Sequence, residues 1–149
     1  MWKAELEEIL EPIHRNPRVQ MMKKFVQHGN TSTFEHCQSV AETCDRLNER
    51  FRLGADRRTL ILSAMLHDFY LYDWHGRPLN LNIFKMHGFT HPGKARDNAI
   101  RYFSVDKDIQ KVIESHMWPL TLRSFPSSKE AMIVCMADKY CALKETFNR

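Results

Sequence analysis

Glycine is scarce in this chain, with five in 149 residues. Leu, Met, Lys, Glu and Ala are plentiful instead, so composition favours an all-α domain. Four cysteines occur, Cys37, Cys44, Cys135 and Cys141, but no two are spaced as CxxC and no secretory leader precedes them. That argues against a disulfide framework and against a thiolate zinc site. The four read as small core residues of a reduced protein. No run of about 18 apolar residues occurs, so no membrane partner is expected and the expected location is cytoplasmic. Internal repeats, low-complexity tracts and linkers are also lacking. The formal charge of +4 steers anionic partners weakly, and it is not the dense basic face that nucleic-acid binders carry.

What is present fits one domain over 1–149, because the length suits one core and is too short for two. Trp2, Leu6, Ile9, Leu10 and Ile13 keep helical spacing and stop near Pro12. Pro17 suits the first turn of a second helix, with Val19, Met22, Phe25 and Val26 on one face, broken at His28-Gly29-Asn30-Thr31. These form an N-terminal helix pair over 2–27. Ser32-Thr33-Phe34-Glu35 is a capping-box pattern that opens a helix to about Phe51, with Cys37, Val40, Ala41, Cys44 and Leu47 inward. Gly54 ends that helix and Asp56 caps the next, which carries Leu60, Ala64 and Asp68 at intervals of four. Periodicity fails from Phe69 to Thr90, where aromatics, Asn and His crowd between breakers. A loop of that length reads as a functional lid or wall. His91-Pro92-Gly93-Lys94 leads into a helix to about Phe103. A further helix, capped by Ser104 or Asp106, carries Ile109, Val112, Ile113 and His116. After an irregular stretch, Ser127-Ser128-Lys129-Glu130 opens the last helix as a second capping box. Ala131, Val134, Cys135, Cys141 and Ala142 form its stripe, with Asp138 in the middle. The sum is a compact all-α bundle of six or seven helices.

The stretch Ala64-Met65-Leu66-His67-Asp68-Phe69 is an apolar run closed by a histidine and an aspartate. A carboxylate carried into such surroundings costs several kcal/mol unless it is paired or bound to a metal. An ordinary helix end would leave Asp68 solvated and His67 satisfied by a carbonyl. Similar oddities recur, however. His116 extends the Ile109-Val112-Ile113 stripe, Asp138 interrupts the last one, and His36 borders the Cys37-Val40-Ala41 stripe. One such residue is more often a hydrogen-bonded core group than a ligand. Several aimed at one core need a common partner, which a divalent metal supplies. Imidazole with carboxylate suits Fe, Mn, Zn or Ni better than Mg or Ca.

The ordered set His36, His67-Asp68, His91, His116 and Asp138 resembles the HD-domain superfamily of metal-dependent phosphohydrolases over roughly residues 28–142. The resemblance implies an all-helical fold and one or two divalent metals. The first would be held by His36, His67, Asp68 and Asp138. The second would be held by His91 and His116, with Asp68 bridging the pair and so serving catalysis as well. Two departures stand out. His116-Met117-Trp118-Pro119 lacks the Gly-Tyr-Pro signature of members that cleave cyclic dinucleotides. Leu71 also stands where many members carry a basic residue, three places after the HD aspartate.

The implied chemistry is attack by a metal-activated hydroxide on a phosphate ester or anhydride of a small metabolite or nucleotide. A bound water's pKa falls towards about 7, and two metals roughly 3.5–4 Å apart can hold it while polarising the phosphoryl oxygen. Lys94, three residues after His91, is the candidate for offsetting phosphate charge, against its reading as a solvated surface lysine. Protonation of the leaving oxygen falls to His75, His87 or Asp73, and Trp74, Tyr70 or Trp118 are candidates to stack on a base. The alternative is a catalytically silent HD module that binds a nucleotide as a sensor. A third reading, RNA binding by Arg15, Arg18, Lys23 and Lys24, fits the composition least.

Overall fold

A computed structural model describes residues 2–72 and 87–148 of the chain. Its helices are α1 (Trp2–His14), α2 (Pro17–Met21), α3 (Thr33–Phe51), α4 (Arg57–Leu66), α5 (His87–Phe103), α6 (Lys107–Ser115) and α7 (Lys129–Phe147). A 3-10 turn over Met22–Lys24 and a hairpin of β1 (Val26–His28) with β2 (Thr31–Ser32) lie between α2 and α3. The described residues therefore form the expected all-α bundle. No helix among them is long and apolar enough to cross a membrane.

The central element is α4, whose residues Leu60 to Leu66 are all buried and which packs against α1, α3, α5, α6 and α7. A helix enclosed on every side shows no amphipathic stripe. Asp56 caps it, accepting from the Thr59 N–H at 2.8 Å. The capping box of α3 is complete: the Glu35 N–H donates to Ser32 Oγ at 3.1 Å and the Ser32 N–H donates to Glu35 Oε2 at 3.2 Å. Cys37, Val40, Ala41 and Cys44 face inward as expected, whereas Leu47 is half-buried and Asp45 is buried. The Arg57 guanidinium explains Asp45, donating to both of its oxygens at 2.9 Å. Helices α3 and α7 run antiparallel, since His36 meets Glu145 and, further along α3, Thr43 meets Cys141. All four cysteines are free and buried.

Several boundaries differ from the sequence reading. Helix α1 continues through Pro12 to His14, because Leu10 and Ile13 are both buried and hold the last turn despite the lost backbone bond. Helix α2 ends at Met21, so Phe25 and Val26 leave the expected helical face. Val26 is the exposed first residue of a hairpin that pairs Val26 with Ser32 and His28 with Thr31. Gly29 makes that turn at φ +57°, which costs glycine little. Helix α5 (His87–Phe103) already includes the turn before the expected start at His91 and carries Pro92 inside it. Buried His91, Pro92 and Ala95 anchor the turn around the missing N–H. At α7 the cap is Ser128, which accepts from the Ala131 N–H. Glu130, expected to close a capping box, instead accepts from the Asp56 N–H at 2.6 Å and ties α7 to the start of α4.

Candidate metal centre

The six residues singled out in the sequence meet at one buried place. His36, His67 and His116 are fully buried, and Asp68, His91 and Asp138 nearly so. They come from α3, the end of α4, α5, the end of α6 and α7. Candidate donor atoms of His36, His67, Asp68 and Asp138 lie within 4.8 Å of one another, as do those of Asp68, His91 and His116. Asp68 belongs to both groups. It sits beyond Leu66, past the end of α4 rather than on its stripe, and is still buried. A third group at the edge joins His36 to His28 and Glu145.

Backbone carbonyls orient three of the four histidines. His67 Nδ1 lies 2.6 Å from Ala64 O, His91 Nδ1 2.8 Å from His87 O, and His116 Nδ1 2.7 Å from Ile113 O. A carbonyl accepts only, so each Nδ1 carries the proton and each Nε2 turns inward. His91 Nε2 and His116 Nε2 lie 2.8 Å apart, and they are 3.1 and 3.3 Å from Asp68 Oδ1. That oxygen is buried, and both nitrogens lie within ion-pair distance of it without making a regular hydrogen bond. Two inward lone pairs facing each other beside a carboxylate oxygen call for a cation. In the other half, His36 Nε2 and His67 Nε2 lie 2.8 and 3.2 Å from Asp138 Oδ1, and 3.6 and 3.2 Å from Asp68 Oδ2. The donors thus fit a divalent metal by number, type and tautomer.

The electrostatics have the same sense. Burial opposes charge on His36, yet hydrogen bonds to Asp138 and Glu145 raise it to about 10. His67 is also raised well above the ordinary histidine value, its burial overridden chiefly by the Asp68 charge. Burial would raise both aspartates, but the positive charge of His67 and the surrounding imidazoles hold Asp68 and Asp138 below the usual carboxylate range. Burial lowers His116. Among the described residues no lysine or arginine pairs with Asp68 or Asp138. Lys139, next in sequence, turns its Nζ to His116 O at 3.0 Å. The pocket therefore stabilises positive charge that must be supplied as protons or metal, and metal uptake would release protons.

Other expectations are placed as follows. Lys94 lies outside the cluster, exposed, with Nζ 4.8 Å above the Tyr72 ring. The Tyr72 hydroxyl bonds His87 Nδ1 at 2.7 Å, and His87 stacks on His91 at 4.4 Å between ring centroids. His75, Asp73 and Trp74 lie outside the described residues. Tyr70 is not available to stack on a base: it is buried, and its hydroxyl donates to Gln27 Oε1. Trp118 packs edge-on against Phe125. Leu71, at the expected basic place, has a φ of +62° and packs on the core, an unfavourable backbone for a branched side chain. Arg18 and Lys23 rest on the rings of Tyr102 and Phe34.

Two residues of the centre escaped the sequence reading. Gln27 Nε2, from the hairpin, donates to Asp68 Oδ2 at 2.7 Å and links Asp68 to Tyr70. No periodicity marks a residue in a three-residue strand. Glu145 Oε2 accepts from His36 Nδ1 at 2.7 Å. Its signal was available, because Glu145 follows Asp138 by two helical turns and so shares its face.

A comparison with known families matches the HD domain over residues 33–143, more than half of the chain. The chain belongs to the HD-domain family, part of the superfamily of metal-dependent phosphohydrolases. No curated protein and no solved structure matches it.

Proposed function

We propose that this protein is a metal-dependent phosphohydrolase acting on a phosphate ester or anhydride of a small metabolite or nucleotide. The observation that carries the reading is the pair of inward imidazole nitrogens, His91 and His116 Nε2, set 2.8 Å apart and 3.1 and 3.3 Å from a buried oxygen of Asp68. His36, His67, Asp68 and Asp138 would hold one divalent ion, of Fe, Mn, Ni or Zn type, and Asp68, His91 and His116 a second. Such ions lower the pKa of a coordinated water towards about 7 and withdraw charge from a phosphoryl oxygen.

The chain's own residues do the rest. Gln27 fixes Asp68 Oδ2, so Oδ1 keeps its aim at the side of His91 and His116. The backbone carbonyls behind His67, His91 and His116 keep their Nε2 atoms inward without a search through rotamers. Lys94, held over Tyr72 at the His87 rim, offsets phosphate charge as substrate enters. His87, stacked on His91, is the described candidate for protonating the leaving oxygen. The compartment expected is the cytoplasm.

The test is metal analysis of protein purified from metal-supplemented cultures, followed by phosphate release from sugar phosphates and nucleoside mono-, di- and triphosphates with Mn²⁺, Fe²⁺, Co²⁺ or Ni²⁺. Metal-dependent release that Asp68→Asn abolishes is the expected result. Metal-free protein with no turnover overturns the reading. Thermal stabilisation by a nucleotide without turnover would instead favour a binding module.

A further inference from the structure

We propose that Glu145 is a positioning residue that further tightens the cation position containing His36, the tighter of the two. The inference rests on the two-cation reading above. Its ground is a difference among the four histidines of the cluster. His67, His91 and His116 lean on backbone carbonyls three or four residues back. His36 alone leans on a side-chain carboxylate, Glu145 Oε2, which comes from the far end of the sequence. A carboxylate behind a ligating imidazole fixes its tautomer and makes the inward nitrogen a stronger donor than a carbonyl does.

The environment of Glu145 supports this role. Its side chain is 11% exposed, and its second oxygen is buried without a hydrogen bond. No lysine or arginine pairs with it among the described residues, so its carboxylate acts on the His36 ring. His28 closes the other side, its ring edge-on to His36 at 5.2 Å. The His36 position thus has Asp68 and Asp138 as direct carboxylates and Glu145 behind one imidazole. The His91 and His116 position has Asp68 alone. More negative charge at equal nitrogen count means tighter binding of a divalent ion.

The test is calorimetric titration of the metal-stripped full chain with Mn²⁺, with the thermal midpoint measured with and without the ion. Wild type should bind two ions in two classes. Glu145→Gln should weaken the tight class by about 10- to 100-fold and leave the weak class in place. The Mn²⁺-induced rise in midpoint should shrink accordingly. A merely structural residue would lower the midpoint equally with and without Mn²⁺ and leave both affinities alone, and that result overturns the proposal. So does loss of one whole ion with the remaining affinities unchanged, which would make Glu145 a ligand of a separate site with His28. If Glu145→Gln does not fold, Glu145→Ala carries the same comparison, two residues from the end of α7. Wild type that binds no metal sinks the two-cation reading itself, whereas a metal-binding wild type matched by Glu145→Gln sinks this inference alone.

Discussion

Asp45 and Asp68 are equally buried, each 2% exposed, yet they are buried for different ends. Asp45 has a guanidinium set squarely against it, with Arg57 Nε and Nη2 each 2.9 Å from one of its oxygens. Arg57 also reaches Glu5, so the pair locks α1, α3 and α4 together. Among the described residues Asp68 is partnered by imidazoles and one amide with no guanidinium or ammonium, and one of its oxygens lacks a regular hydrogen bond. A carboxylate that serves the fold is neutralised by its own chain. One placed where a metal could bind is left without a fixed cation of its own chain. Burial alone does not separate the two, but the partner does.

The sharpest way to break that comparison is Asp68→Asn. Turnover should fall by on the order of 10³-fold or more and bound metal should drop, because the shared ligand is gone. The metal-free midpoint should fall as well, because the positive charge held on His67 and His36 loses one of its buried partners. Bound metal left unchanged by the substitution would put Asp68 in the same class as Asp45. Chelation is the next largest effect. At free ion about 100 times Kd, binding contributes about 2.7 kcal/mol, so stripping wild type should lower the midpoint by roughly 5–10 °C. Asp45→Asn should keep that drop and Asp68→Asn should lose it.

Asp45→Asn itself should destabilise by about 2–3 kcal/mol with or without metal, read by urea unfolding. The lower end applies because the Arg57 side chain is 32% exposed and water screens part of its charge. Metal affinity should not change. Smallest is Asp56→Ala, which removes the α4 cap and should cost about 1 kcal/mol at neutral pH. Hydrogen bonds from Thr59 hold the Asp56 carboxyl below its usual value. Its contribution is therefore complete above about pH 4 and fades as pH falls through the depressed value. The gap between wild type and variant should close in acid, and a gap that widened there would refute the cap as its source.

Much of the centre was legible because buried polar residues broke apolar stripes. His116 ends the stripe of α6 and Asp138 interrupts that of α7. The first stripe is buried as expected, and the second is buried at Ala131, Val134, Cys135 and Cys141 but widened by Ile133 and Ala137, with Ala142 half-buried. The fold class was equally open to a reading of period and caps. Less legible was whatever depended on partners distant in sequence. Glu145 meets His36 across 109 residues and Gln27 meets Asp68 across 41, and neither breaks a local pattern. Prolines misled in both directions: Pro12 and Pro92 lie inside helices because burial of the adjoining turn outweighs one missing bond. The hairpin went unseen because it is two short strands around Gly29, too brief for an alternation to register.

The separation of His36 from Asp138 along the chain, 102 residues, has a consequence for biosynthesis. A ribosome delivers Asp68, His91 and His116 while α7 is still being translated, so on the two-cation reading the weaker position is complete first. The tighter one waits for Asp138 and, a little later, Glu145. A product cut short before α7 lacks Asp138 and Glu145 and also the packing of α7 on α3, α4 and α6. Secure metal loading would thereby mark a polypeptide translated through its last helix.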